Sequence, residues 1–184
     1  MIAHPWGIVL DADVLLRYGP RDLILYLAAG RVVDVIWSEE ILAEVERNFP
    51  GGAARFAPLK ANLSTHFPTA TKAGFQHRIA RLQDTDEKDR HVMALAAEYE
   101  ADIVSFNVRH YGPGDAKAGG IRVYDPDEAL AELALLDAEA VLDAARISFR
   151  RMRNPAPDWD LYVDRLTRDG LPRFAAWLRD HGPP

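Results

Sequence analysis

Gly7-Ile8-Val9-Leu10-Asp11-Ala12-Asp13-Val14-Leu15-Leu16 sets the architecture expected of this chain. Ile8, Val9 and Leu10 form a short apolar run that stops at Asp11, and the Leu-rich stretch from Val14 to Ala29 ends at Gly30. That order predicts a buried strand, a turn, and a helix stopped by glycine. Val32 to Trp37 is again apolar and β-branched, and Ser38 with Glu39 and Glu40 behind it marks a helix start favoured by the helix dipole. Ala53 to Gln83 reads as two helical stretches broken near Pro68, with Phe56, Leu59 and Leu63 on one face.

Asp86-Glu87-Lys88-Asp89 has the form of a capping box, an N-cap with an acid three residues on, continued at helical spacing by Val92, Met93, Ala96 and Tyr99. Ile103 to Phe106 is a strand ending at Asn107. Ile121 to Tyr124 is another, running into Asp125-Pro126-Asp127-Glu128, which supplies an N-cap, proline at the first helical position and Glu at the third. Short strands alternating with helices predict an α/β fold with a central, mainly parallel sheet flanked by helices and ligands at the carboxyl ends of the strands. Beyond residue 136 only helices are expected, with Asn154-Pro155-Ala156-Pro157 as a breaker and Trp159, Tyr162, Phe174 and Trp177 as apolar anchors. Residues 1–136 are therefore expected to form one domain, and 137–184 a C-terminal helical extension packed on it.

The 184 residues suffice for one full hydrophobic core, and 48% hydrophobic with 27% charged residues excludes disordered and fibrous classes. The absence of cysteine removes disulfides, thiolate nucleophiles and sulfur-bound zinc, leaving oxygen and imidazole as metal ligands. No apolar run reaches the roughly 18 residues needed to span a bilayer, and no leader pattern opens the chain, so a cytoplasmic protein is expected. The net charge is −6, and residues 137–184 hold as many arginines as acids, so the acidic excess lies ahead of them. A generic, basic nucleic-acid binder is excluded on that ground, and any RNA or DNA role must rest on local patches.

Four positions can carry chemistry at the strand ends. Asp11 directly follows a strand, where it serves a ligand crevice or caps the next helix; Asp13 is expected to be the capping residue of the two. Glu44 and Glu46 both flank the buried stripe Ile41, Leu42, Val45 and Phe49, and spacing alone leaves them tied. Asp89 can reach the rim or complete the capping box with Asp86, and Asn107 can orient a water or a phosphate or simply turn the chain. If Asp11, Glu44 and Asp89 converge, carboxylates about 4 Å apart repel by roughly 4 kcal/mol per pair at an effective dielectric near 20, so a cation is needed among them. Oxygen ligands with open positions suit Mg²⁺ or Mn²⁺ and phosphodiester hydrolysis.

Together these segments resemble the PIN domain family of metal-dependent nucleases, which includes the VapC-type toxins. The segments are Ile8-Val-Leu-Asp11-Ala-Asp-Val-Leu-Leu16, Trp37-Ser-Glu-Glu-Ile-Leu-Ala-Glu44-Val45, Asp86-Glu-Lys-Asp89-Arg-His-Val92 and Ile103-Val-Ser-Phe-Asn107. They span roughly residues 8 to 112, and the resemblance selects Glu44 over Glu46. It implies a Rossmann-like PIN domain, a metal site of Asp11, Glu44 and Asp89 holding Mg²⁺ or Mn²⁺, and Asn107 as a fourth catalytic position. It further implies endonucleolytic cleavage of RNA, an antitoxin partner chain, and compatibility with a homodimer. Two departures stand out: Asn107 where many PIN domains carry a fourth acid, and His110 and Tyr111 where an Asp-Phe pair is common. A weaker second metal is the implied consequence.

Phosphate contacts call for cations, and Arg81, Arg90 and Arg109 lie nearest the acids in sequence, with Lys72, His77 and Arg78 upstream. Arg146, Arg150, Arg151 and Arg153 are read as a solvated helix face, and His91 as a packed or hydrogen-bonded residue rather than a ligand. Gly7 to Leu15 also fits the first motif of the haloacid dehalogenase-like phosphatases, with Asp11 as nucleophile, Asp13 as acid, and Ser105, Lys117 and Asp125 or Asp127 in the remaining roles. That alternative leaves Glu44 and Asp89 unexplained. A degenerate PIN module that binds RNA or a partner without cutting is the third reading.

Overall fold

The computed structural model describes residues 5–152 and 158–182, so Arg153 and the breaker at 154–157 lie outside the described residues. The chain divides by contact into two compact units: residues 1–16 with 34–125, and residues 17–33 with 126–184.

The first unit is built on a four-stranded parallel sheet of order β2-β1-β3-β4, made of β1 (Trp6–Leu10), β2 (Val33–Ile36), β3 (Asp102–Val104) and β4 (Val123–Tyr124). Val9 pairs with Ile103 and Leu10 with Val104, while Ile103 pairs with Val123. Ile8, Val9, Leu10, Ile103 and Val104 are all buried, as expected of strands covered on both faces. The α/β expectation thus holds. The strand order reverses between β1 and β3, and in open parallel sheets that reversal opens a crevice at the carboxyl ends. Asp11 lies at the end of β1, and the Ser105–Asn107 turn at the end of β3.

The sequence implied one helix from Val14 to Ala29. Instead α1 (Ala12–Leu15) stops, Arg17 is extended, and α2 (Tyr18–Ala29) starts afresh. Pro20 explains the break: inside a continuous helix it would lack an N–H and clash with the carbonyl of Leu16, whereas in the first turn of α2 it is tolerated. Ser38 caps α3 (Glu39–Asn48) as expected, accepting from the Ile41 N–H at 3.2 Å. α4 (Ala53–His66) follows, and beyond Pro68 the expected second helix shrinks to α5 (Gln76–Ile79). Thr71 is drawn off to Trp37, by a parallel bridge and by the indole N–H at 3.0 Å. α6 (Arg90–Tyr99) buries Val92, Met93 and Ala96, and α7 (Pro113–Gly119) precedes β4.

The second unit is helical: α2, α8 (Pro126–Leu136), α9 (Ala138–Arg150), α10 (Trp159–Arg168) and α11 (Pro172–His181). By contact, α8 belongs with the helices that follow it, although the strand and helix alternation of the sequence runs to 136. Leu23, Ile24 and Leu27 of α2 join Leu130, Val141, Val163, Leu166 and Phe174 as fully buried side chains. Phe149, Trp159 and Tyr162 form an aromatic trio with centroids 5.3 to 5.8 Å apart. The anchors expected in this tail are therefore used. Among the described residues no helix is long and apolar enough to cross a membrane.

Candidate active site

Asp11 is 5% exposed and ends β1. It, not Asp13, is the N-cap of α1: its Oδ1 accepts the Ala12 N–H at 2.6 Å. Oδ2 accepts the Ser105 hydroxyl at 2.8 Å and the Tyr111 hydroxyl at 2.7 Å. Two donors occupy the lone pairs of Oδ2, so the lone pair left for a ligand is on Oδ1. Asp13, expected to cap, instead accepts the Phe106 N–H at 3.1 Å and lies 3.2 Å from the Ser105 hydroxyl. The physical reason is the parallel pairing of β1 with β3, which brings the turn after β3 over the start of α1. Burial, then the charge of Asp11, pushes the Tyr111 hydroxyl well above its usual pKa, so it remains a donor that fixes the carboxylate.

Glu44 is half-buried on α3, and its carboxyl is pushed up by burial first, then by the charges of Asp11 and, more weakly, Asp89; His91 and Arg47 pull the other way. Asp89 is 8% exposed and is likewise raised, by burial and by Asp11, against Lys88 and His110. Asp11 acts electrostatically on both of the other carboxyls, and Asp89 on Glu44.

The capping box expected at Asp86 does not form. A 3-10 turn, Glu87–Asp89, precedes α6, and Asp86 makes no side-chain cap bond. The turn places Asp89 at the helix boundary rather than inside the first turn, and its Oδ2 meets His110 Nδ1 at 3.1 Å. Asp86, Asp89 and His110 form a compact group whose ligand atoms all lie within 4.8 Å, one that could hold a metal ion. Sequence reading treated Asp86 as a cap and His110 as a departure; nothing in their spacing pairs them.

This group is strapped together by backbone. The Asp86 N–H donates to the His110 carbonyl at 2.9 Å, and the Asp89 N–H to the Asp86 carbonyl at 2.8 Å. Asp115 accepts the N–H groups of Gln83, Asp84 and Thr85 at 2.8 to 3.1 Å. Partial burial opposes its charge, yet those three donors outweigh it and hold its carboxyl below the usual range. The 84–85 backbone passes so close to Gly112 that a Cβ there would lie 2.5 Å from the Asp84 carbonyl carbon, which is why glycine occupies the position.

Asn107 is exposed at the end of the β3 turn, its N–H donating to Ser105 Oγ at 3.0 Å. Arg90 directs its Nε to the Thr85 carbonyl at 3.1 Å, a structural use, while Arg81 and Arg109 are exposed. Beside Glu44 lies a groove of about 530 Å³ whose lining includes Arg47, Lys88 and His91. Arg47 and Lys88 are cations that sequence reading passed over. His91 is hydrogen-bonded as expected, Nδ1 to the Lys88 carbonyl at 2.8 Å, and its buried Nε2 has no partner among the described residues. In the tail, Arg146 pairs with Asp143 and Arg151 lies over the Tyr26 ring.

Several carboxylates and an imidazole, partly buried and mutually repelling, have the donor chemistry of a divalent-cation site. The phosphatase alternative fares worse. Asp127 accepts the N–H groups of Arg173 and Phe174 at 2.9 and 2.8 Å, which makes it a helix cap of the second unit, and Lys117 is exposed on α7.

No curated protein and no solved structure matches the chain significantly. Residues 126–180 match the family described as VapC50 C-terminal domain. That family is one of VapC-type toxins, so the C-terminal segment is similar to theirs, and the chain, an α/β fold with this C-terminal region, is consistent with a PIN-domain VapC toxin.

Proposed function

We propose that this protein is a metal-dependent endoribonuclease, the toxin of a toxin–antitoxin pair, cutting RNA phosphodiester bonds with water as nucleophile. The observation that carries the reading is that burial and the charge of Asp11, just after β1, both raise the carboxyls of Glu44 on α3 and of Asp89 at the start of α6. The C-terminal match to a VapC-type family supports the toxin role. In this reading residues 1–136 are the nuclease domain and 137–184 its helical extension, and the protein works in the cytoplasm, alone or as a homodimer.

Asp11, Glu44 and Asp89 would hold Mg²⁺ or Mn²⁺. Such an ion neutralises the carboxylates, polarises a phosphodiester oxygen and activates water for in-line attack. The residues of the chain do the rest. Ser105 and Tyr111 fix Asp11 by donating to Oδ2, leaving a lone pair on Oδ1 for a ligand. Arg47 and Lys88, on the groove beside Glu44, supply charge for the RNA backbone, as do the exposed Arg81 and Arg109. Asn107 contributes an amide able to orient water or phosphate at the β3 end. An antitoxin would cover this acidic rim with a cation of its own.

The test is incubation of the purified protein with several RNAs in Mg²⁺, Mn²⁺ or EDTA, beside Asp11→Asn and Asp89→Asn. Cleavage that needs the metal and is lost in both variants is expected. Cutting in EDTA, or unchanged cutting by both variants, overturns the reading, and binding without scission at any metal concentration favours the non-catalytic module.

A further inference from the structure

We propose that the divalent ion of this site is bound through nitrogen as well as oxygen, with His110 Nδ1 as a ligand beside Asp86 and Asp89. The inference rests on the metal-site reading given above and extends its donor set by two residues. His110 Nδ1 lies 3.1 Å from Asp89 Oδ2 and 3.8 Å from Asp86 Oδ2. Asp89 is also the acid that experiences the charge of Asp11, so this group and the carboxylates of the strand ends share a member.

The arrangement is built into the backbone rather than made by long side chains meeting in solvent. The Asp86 N–H bond to the His110 carbonyl joins the 86–89 turn to the 107–110 turn, and one bond inside each turn, Asp89 to Asp86 and His110 to Asn107, orders the backbone that carries the three donors. Asp115 and the close crossing at Gly112 hold the chain just ahead of Asp86. Donors preorganised in this way need little rearrangement to close on an ion. The side chain of His110 is 25% exposed and that of Asp89 11%, which leaves the group an open side toward solvent.

Proton placement is simple. In the tautomer with its hydrogen on Nδ1, His110 donates to Asp89. With an ion, the hydrogen sits on Nε2 and the Nδ1 lone pair replaces it in the same direction. Imidazole suits first-row transition metals, whereas Mg²⁺ takes oxygen ligands. The His110 donor therefore biases the site toward Mn²⁺ over Mg²⁺.

The test uses Mn²⁺ itself as the probe, bound to the full chain and read by pulsed electron paramagnetic resonance, which detects ¹⁴N coupled to the ion. Bound Mn²⁺ with nitrogen coupling is expected, and labelling the histidines with ¹⁵N should change its frequency without any substitution. In His110→Ala the coupling disappears and Mn²⁺ affinity falls by about tenfold or more, while Mg²⁺ affinity, measured by competition, changes less. Asp11→Asn weakens Mn²⁺ binding but keeps the nitrogen signal. Mn²⁺ bound with no nitrogen coupling, or a coupling that survives in His110→Ala, overturns the inference and leaves the oxygen-only site standing. No bound Mn²⁺ in the unmodified protein overturns the inference and the metal-site reading together.

Discussion

The two units of the chain differ in how far their acids are perturbed. In the helical unit the carboxylates close helix ends: Asp137 accepts the Ala140 N–H at 3.0 Å, Asp158 the Leu161 N–H at 2.9 Å, and Asp127 two amides of α11. In the sheet-based unit burial, and then the charge of Asp11, make Glu44 and Asp89 harder to ionise than usual. Acids of the first kind are satisfied by the fold. Those of the second kind keep a raised carboxyl pKa that burial and neighbouring charge impose, the kind of perturbation that gathers at functional sites.

The sharpest way to break this contrast is at the strap beneath the site. Gly112→Ala would drive a Cβ into the Asp84 backbone, and displacing that segment should cost about 1–3 kcal/mol or more of stability. Denaturant melts of the variant should show this, together with weakened divalent-ion binding; an unchanged midpoint would show that the crossing is not constrained. Tyr111→Phe removes one donor from Asp11 while keeping the ring, so ion affinity should fall by about 10- to 100-fold, read by calorimetric titration. An affinity equal to that of the parent would deny Tyr111 its positioning role. On the other side of the comparison, Asp158→Ala should cost about 1 kcal/mol of stability through the lost cap and leave RNA cleavage untouched.

The pH response separates the two kinds of acid as well. A carboxyl whose pKa is raised on folding holds its proton more tightly in the folded state, so stability falls as pH rises from the ordinary carboxylate range through the raised value, then levels off. Glu44 and Asp89 should therefore make the metal-free protein less stable on going from about pH 4 toward neutrality. Glu44→Gln and Asp89→Asn should each flatten that loss, and saturating divalent ion should restore stability at neutral pH. Thermal melts across that range check the sign; a metal-free protein whose stability rises throughout would contradict the placement of these acids.

Much of this was legible locally. Apolar runs ending in Asp11 and near Asn107, the Ser38 cap and the proline start of α8 are short-range signals, and the structure honours them. What was not legible depends on partners far along the chain. Whether Asp11 or Asp13 caps α1 is decided by Ser105, Phe106 and Tyr111, more than 90 residues away. The capping-box spacing at Asp86 and Asp89 was genuine but outcompeted by His110, and Asp115 gave no hint that it would gather three amides of the 83–85 segment. α2 misled because a Leu-rich helix can bury its face against any apolar neighbour, so its pattern does not reveal that it groups with the C-terminal helices.

The most direct test of the central claim is calorimetric titration of Mn²⁺ and Mg²⁺ into the parent protein and into Asp11→Asn, Glu44→Gln, Asp89→Asn and Asp158→Asn. The account predicts binding that each of the first three substitutions weakens strongly and the fourth leaves unchanged. Equal affinity across all five proteins would mean that Asp11, Glu44 and Asp89 do not share an ion.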